Sequence, residues 1–121
     1  MAKSETIPVQ IDAEKLCKHT LTITNNLNNF PKKYRFTLVD RILRIAFDIH
    51  DYICDANNSY DMAQRVHYIE SAVSSCRKFK FYVRMCNEVL KPKCSISYWD
   101  ELISGIEKQL LNWRVSTKKL L

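Results

Sequence analysis

The chain has 121 residues, room for one domain around one core. One glycine and three prolines are too few turn formers for an all-β chain cut by many tight turns, and they leave no Gly-rich phosphate loop. Lys and Arg number 19 against 13 Asp and Glu, a net charge of +6, which attracts polyanions or acidic proteins without by itself making a nucleic-acid binder.

Apolar residues make up 46% of the chain, enough for a core, and no run is long enough to cross a membrane. Met1 to Thr6 carries no apolar signal segment, so a cytoplasmic protein is expected. The five cysteines are an odd number without a Cys-x-x-Cys pair. Cys17, Cys76 and Cys86 fall on apolar helical faces, where reduced thiols act as small hydrophobes rather than zinc ligands or disulfides.

Residues 1–10 are expected to be flexible, and the first helical pattern runs from Ile11 to Asn29. Ala13, Leu16, Cys17, Thr20, Ile23, Thr24 and Leu27 recur at three- and four-residue steps. Its β-branched residues and asparagines make it an intrinsically poor helix that packing must hold. The stretch Phe30-Pro31-Lys32-Lys33-Tyr34-Arg35-Phe36-Thr37-Leu38-Val39-Asp40-Arg41-Ile42 breaks that pattern. Pro31 stops the incoming helix, and Thr37 with Asp40 predicts a cap for the next one. Tyr34 and Phe36 are expected to fold back onto the bundle while Lys32, Lys33 and Arg35 stay in water.

The second helix is predicted from Thr37 to about Ala56, with Leu38, Ile42, Ile45, Ile49, Tyr52, Ile53 and Ala56 inward. Val39, Leu43 and Phe47 lie off that stripe. They either broaden the core or form a subunit contact. After the turn at Asn57-Asn58-Ser59, Asp61 and Gln64 resemble a capping box for a third helix. Met62, Val66, Ile69, Val73, Cys76, Val83, Cys86 and Leu90 carry its stripe to Pro92, over a length of roughly 45 Å. Ser97 and Asp100 predict the cap of a fourth helix, with Trp99, Leu102, Ile103, Ile106, Leu110 and Trp113 inward. Trp113 reads as a core anchor able to reach Phe30 and Phe36, and Gly105 as a point of close helix approach. Four amphipathic helices with short connections predict one all-α domain over residues 1–121, an up-down-up-down four-helix bundle.

No pattern places a nucleophile beside a base, and His19, His50 and His67 fall on separate predicted helices. No enzyme, cofactor or metal site is expected. Asp48, Asp51 and Asp55 share one helical face beside His50, but no Glu-x-x-His pair accompanies them as in bundle di-metal sites. They read as a solvated acidic face and as candidate interface residues. Arg77, Lys80, Arg84 and Lys91 follow steps of three, four and seven, with Lys78 at the flank and Phe79, Phe81 and Tyr82 interleaved. Basic residues among aromatics suit a phosphate backbone with unstacked bases, and an ordinary solvated face over core aromatics has the same pattern.

The corner sequence FPKKYRFTLVDRI resembles that between the first two helices of a bacterial four-helix-bundle family. It comprises the ribosomal RNA intervening-sequence proteins and the accessory variability determinant of diversity-generating retroelements. Pro31, Arg35-Phe36-Thr37-Leu38 and Arg41-Ile42 carry the likeness to the accessory branch, as does Tyr98…Glu101…Ile106…Gln109-Leu110…Trp113 in the last helix. The resemblance spans about Leu16 to Trp113. Leu111-Asn112 stand where the family often has glycines, and the Asn-Ile-Ala-Glu-Gly signature of the intervening-sequence branch is missing.

The resemblance implies a basic, non-catalytic bundle that forms a homo-oligomeric ring of five and binds RNA or DNA and a reverse transcriptase. On that expectation Arg77, Lys78, Lys80, Arg84 and Lys91 contact nucleic acid without sequence preference, with Lys32, Lys33 and Arg35 as a second patch. Val39, Leu43, Phe47, Asp48, Asp51 and Asp55 would then form the oligomer interface. The alternative is a self-assembling structural bundle with no nucleic-acid role.

Overall fold

The computed structural model describes residues 6–90 and 96–121, and the chain is all-helical over that extent, with four α-helices. The first, α1, runs Pro8–Thr24 and so begins three residues before the predicted Ile11, with Val9 buried. Pro8 occupies the first turn, where its missing N–H costs nothing.

The helix ends earlier than Pro31 predicts. The Asn26 side chain accepts the Asn28 N–H at 3.0 Å, and its carbonyl accepts those of Asn29 and Phe30 at 3.1 and 2.9 Å. This asparagine turn competes with the helix and wins. Leu27, expected inward, is consequently exposed, while Phe30 is swung into the core.

A short 3-10 turn, Lys32–Tyr34, and a π turn, Arg35–Val39, lead into α2, Asp40–Asn57. Thr37 caps nothing. Its hydroxyl donates to the Tyr34 carbonyl at 3.3 Å, and Asp40 pairs with Arg44 at 3.1 Å. The π turn also changes the fate of Phe36, which is 88% exposed instead of folded back. The inner face of α2 is Ile42, Ala46, Ile49, Ile53 and Ala56, with Leu38, Ile45 and Tyr52 flanking it half-buried.

The chain turns into α3, Met62–Val89, under the control of Arg65. Arg65 Nε donates to the Ala56 carbonyl at 2.9 Å and Nη2 to the Ser59 carbonyl at 2.8 Å, tying the last turn of α2 to the connection that follows it. Asp61 caps α3 by accepting the Ala63 N–H at 3.3 Å. At 28 residues α3 is about 42 Å long. It ends before Pro92, which lies outside the described residues with Lys91 and Cys94. The last helix, α4, spans Ile96–Lys118, so Ser97, expected as its cap, is already within its first turn.

Helix α1 packs on α2 and α4, α2 on α3, and α3 on α4. Trp99 anchors the core. It is fully buried, its Nε1 donates to Thr20 Oγ1 at 3.0 Å, and the rings of Phe79 and Phe30 meet it edge-on at 5.6 and 6.2 Å. Trp113, expected in that role, is only half-buried and lies under the Arg65 guanidinium at 5.9 Å. It lines a pocket with Ile7, Pro8 and Val9 at the start of α1. Gly105 makes no close helix approach, since an added methyl group would find no atom within 4 Å.

The described cysteines are all free thiols. Burial pushes Cys17 up to about 11 and Cys76 up to about 12, so both stay protonated at neutral pH. Among the described residues no helix is long and apolar enough to cross a membrane.

Candidate nucleic-acid interface

The basic residues of α3 divide between two sides of the helix. Toward α2, the side chains of Arg77, Lys78, Phe81 and Tyr82 face Arg41, Asp48 and Tyr52 across an open groove of about 710 Å³. Arg41 reaches over it, its Nη1 donating to the Tyr82 hydroxyl at 3.3 Å. Phe81 and Tyr82 meet edge-to-face at 5.2 Å, and the Arg84 guanidinium lies 6.0 Å from the Phe81 ring. Phe81 is thus an exposed ring among cations. Phe79, interleaved with them in sequence, belongs to the core.

The side toward α4 is different. Lys80 Nζ lies 2.5 Å from one carboxylate oxygen of Glu107, and Arg77 Nε lies 3.4 Å from the other. The Glu107 side chain is 16% exposed. Its pKa is held below the usual carboxylate range, first by the hydrogen bond from Lys80 and against the opposing effect of burial. The predicted line Arg77, Lys80, Arg84 is therefore interrupted electrostatically at its first two members. Arg41, Lys78 and Arg84 form no ion pair with another described residue.

Sequence periodicity missed Glu107 and Arg41. Glu107 sits beside the inward positions Ile106 and Leu110 of α4, and a carboxylate flanking an apolar stripe is the available signal for an interhelical ion pair. Arg41 lies next to Ile42 on the outer side of α2, within the corner stretch, and only the pairing of α2 with α3 brings it to Tyr82.

The corner cations Lys32, Lys33 and Arg35 are all exposed, with Lys33 Nζ at 5.3 Å from the Tyr34 ring. Arg35 borders a cavity of about 570 Å³ with Leu21, Phe30, Val39 and Leu43. Of the candidate interface residues, Val39 is buried in its own chain, Leu43 is half-buried, and Phe47 is 42% exposed. Asp48, Asp51 and Asp55 are exposed. They do not form one face apart from the cations, because Asp48 borders the same groove as Arg77 and Lys78. Asp51 Oδ1 lies 3.3 Å from His50 Nδ1, and His50 Nε2 lies 4.0 Å from Glu14. No group of three or more metal-ligating side chains comes together among the described residues. Lys91 lies outside the described residues. No family model and no curated protein sequence matches this chain.

Proposed function

We propose that this chain is a non-catalytic accessory protein of the bacterial cytoplasm, an up-down-up-down bundle that binds nucleic-acid backbone without sequence preference. The observation that carries this reading is the trio Arg41, Lys78 and Arg84, without ion-pair partners among the described residues: Arg41 and Lys78 line the α2–α3 groove with the exposed Phe81 and with Tyr82, and Arg84 lies near the Phe81 ring from the side toward α4. Guanidinium and ammonium groups suit phosphate oxygens, and an exposed ring offers an unstacked base a surface. Base-edge readout is not part of the reading, since no element has the form of a groove-reading motif. The likeness to retroelement accessory proteins adds a reverse transcriptase as partner and a ring of five copies.

The test is binding of single-stranded RNA and DNA over a salt series by wild type and the variant Arg41→Gln/Lys78→Gln/Arg84→Gln. If each cation meets one phosphate, the slope of log K against log salt should become shallower by about 0.7 per lost contact, roughly 2 in all. Unchanged affinity and slope in a folded variant would remove the groove from the mechanism. Sedimentation at micromolar concentration checks the ring, and a monomer would exclude it.

A self-assembling bundle without nucleic acid is the second reading. It is favoured by the exposed rings of Phe36 and Phe47, with the carboxylates of Asp48, Asp51 and Asp55 available to cations of a neighbouring copy. An oligomer that ignores RNA and DNA at low salt would establish it over the first.

A further inference from the structure

The contact between α3 and α4 bears on how tightly such a surface can bind. Two cations of the basic line meet a single carboxylate, and the triad of Lys80, Arg77 and Glu107 carries a net charge of +1 instead of +2. The carboxylate oxygens lie where phosphate oxygens would, one toward an ammonium and one toward a guanidinium. Glu107 is half-buried, so freeing both cations for an outside ligand would leave a partly covered carboxylate without those partners. Its pKa, held below the ordinary carboxylate range by those same partners, keeps it ionised at neutral pH.

We infer that Glu107 is an internal competitor for nucleic acid: its carboxylate takes the place of a phosphate between Lys80 and Arg77 and withholds charge from the binding surface. The inference rests on the nucleic-acid reading above and deepens it. Arg77 is only partly withheld, because Nε makes the contact and the residue also lines the α2–α3 groove. Lys80 has one charged group, and Glu107 holds it. The competitor thus lowers the affinity of the surface for a polyanion.

The experiment compares wild type, Glu107→Gln, Lys80→Gln and the double variant, using a labelled oligouridylate over about 50 to 200 mM salt. Glu107→Gln should bind more tightly, with a slope steeper by about 0.7 for each cation released. Its advantage over wild type should then grow about threefold, per released cation, for a fourfold fall in salt. Lys80→Gln should leave the wild-type slope nearly unchanged yet, combined with Glu107→Gln, remove the share of the gain that Lys80 carries and leave only that of Arg77. Circular dichroism reports whether each variant keeps its helices. Should Glu107→Gln unfold, Lys80→Gln alone decides, because a slope shallower by about 0.7 would show Lys80 already bound to phosphate and overturn the inference. Wild-type binding with no gain, or a loss, in a folded Glu107→Gln sinks the competitor and leaves the groove reading standing. No binding by wild type or Glu107→Gln at the lowest salt overturns both.

Discussion

Trp99 and Trp113 occupy the same helix about four turns apart and have the same side chain, yet they hold different places. Trp99 has a partner on every side: Thr20 from α1, Phe79 from α3 and Phe30 from the corner. Trp113 lies where α1 is only beginning, beside Ile7, Pro8 and Val9, with Arg65 over its ring. The contrast teaches that periodicity assigns a residue to a helix face, whereas burial depends on how far the neighbouring helices extend. Each end of the packed helices is closed by whatever the connections supply. At the corner end an asparagine turn delivers Phe30; at the other, Arg65 ties down the α2–α3 turn.

The sharpest way to break this comparison is to truncate each tryptophan. Trp99→Ala should lose about 3–5 kcal/mol of stability, the range for large aromatic truncations in cores. Equilibrium denaturation with urea measures it. Trp113→Ala should lose only about 1 kcal/mol, chiefly the contact with Arg65 and a partial burial. Equal losses at the two positions would erase the distinction between the ends. Gly105, between them on α4, has open space where a side chain would start, so Gly105→Ala should raise stability by up to about 1 kcal/mol through helix propensity. A loss there would reveal a close approach that the structure lacks.

The smallest effect concerns His19, whose ring meets Tyr98 edge-on at 4.7 Å and whose Nε2 is buried without a hydrogen-bond partner among the described residues. Burial lowers its pKa below 6.5. The unfolded chain therefore takes up a proton near pH 6.5 while the folded one still resists. The stability due to neutral His19 is present above that pH and is lost as pH falls through the window down to the lowered folded value. Thermal melts of wild type and His19→Phe between pH 5 and 7.5 should diverge on the acid side, with the variant flatter. Parallel curves would show that the imidazole does not carry the dependence.

The helical faces were legible because a core four helices wide forces apolar residues to return every three or four positions. Ile42, Ile49, Ile53, Ile69, Ile103, Ile106 and Leu110 could be read that way, and all are buried. What interrupts a helix was harder to read. Pro31 carries the stronger general signal, yet Asn26 ends α1 sooner because its side chain and carbonyl together satisfy three N–H groups. The basic residues of α3 were visible as a line, but their free charge was not. Whether Lys80 meets water or Glu107 depends on the rotation of α4 against α3, which no spacing within either helix encodes.

The π turn at Arg35–Val39 acts as a rotational spacer. It holds about one residue more per turn than an α-helix, and one residue is worth roughly 100° of azimuth. The extra residue separates the heading of the corner from that of the core: Val39 turns in while Phe36 turns out to water. Removing Thr37, so that the stretch relaxes into regular α-helix, would swing Lys32 through Phe36 around the axis of α2 by that same angle. The direction in which this end of the molecule points its cations is therefore a matter of counting. One residue fewer, with every side chain of the core kept, would aim them elsewhere.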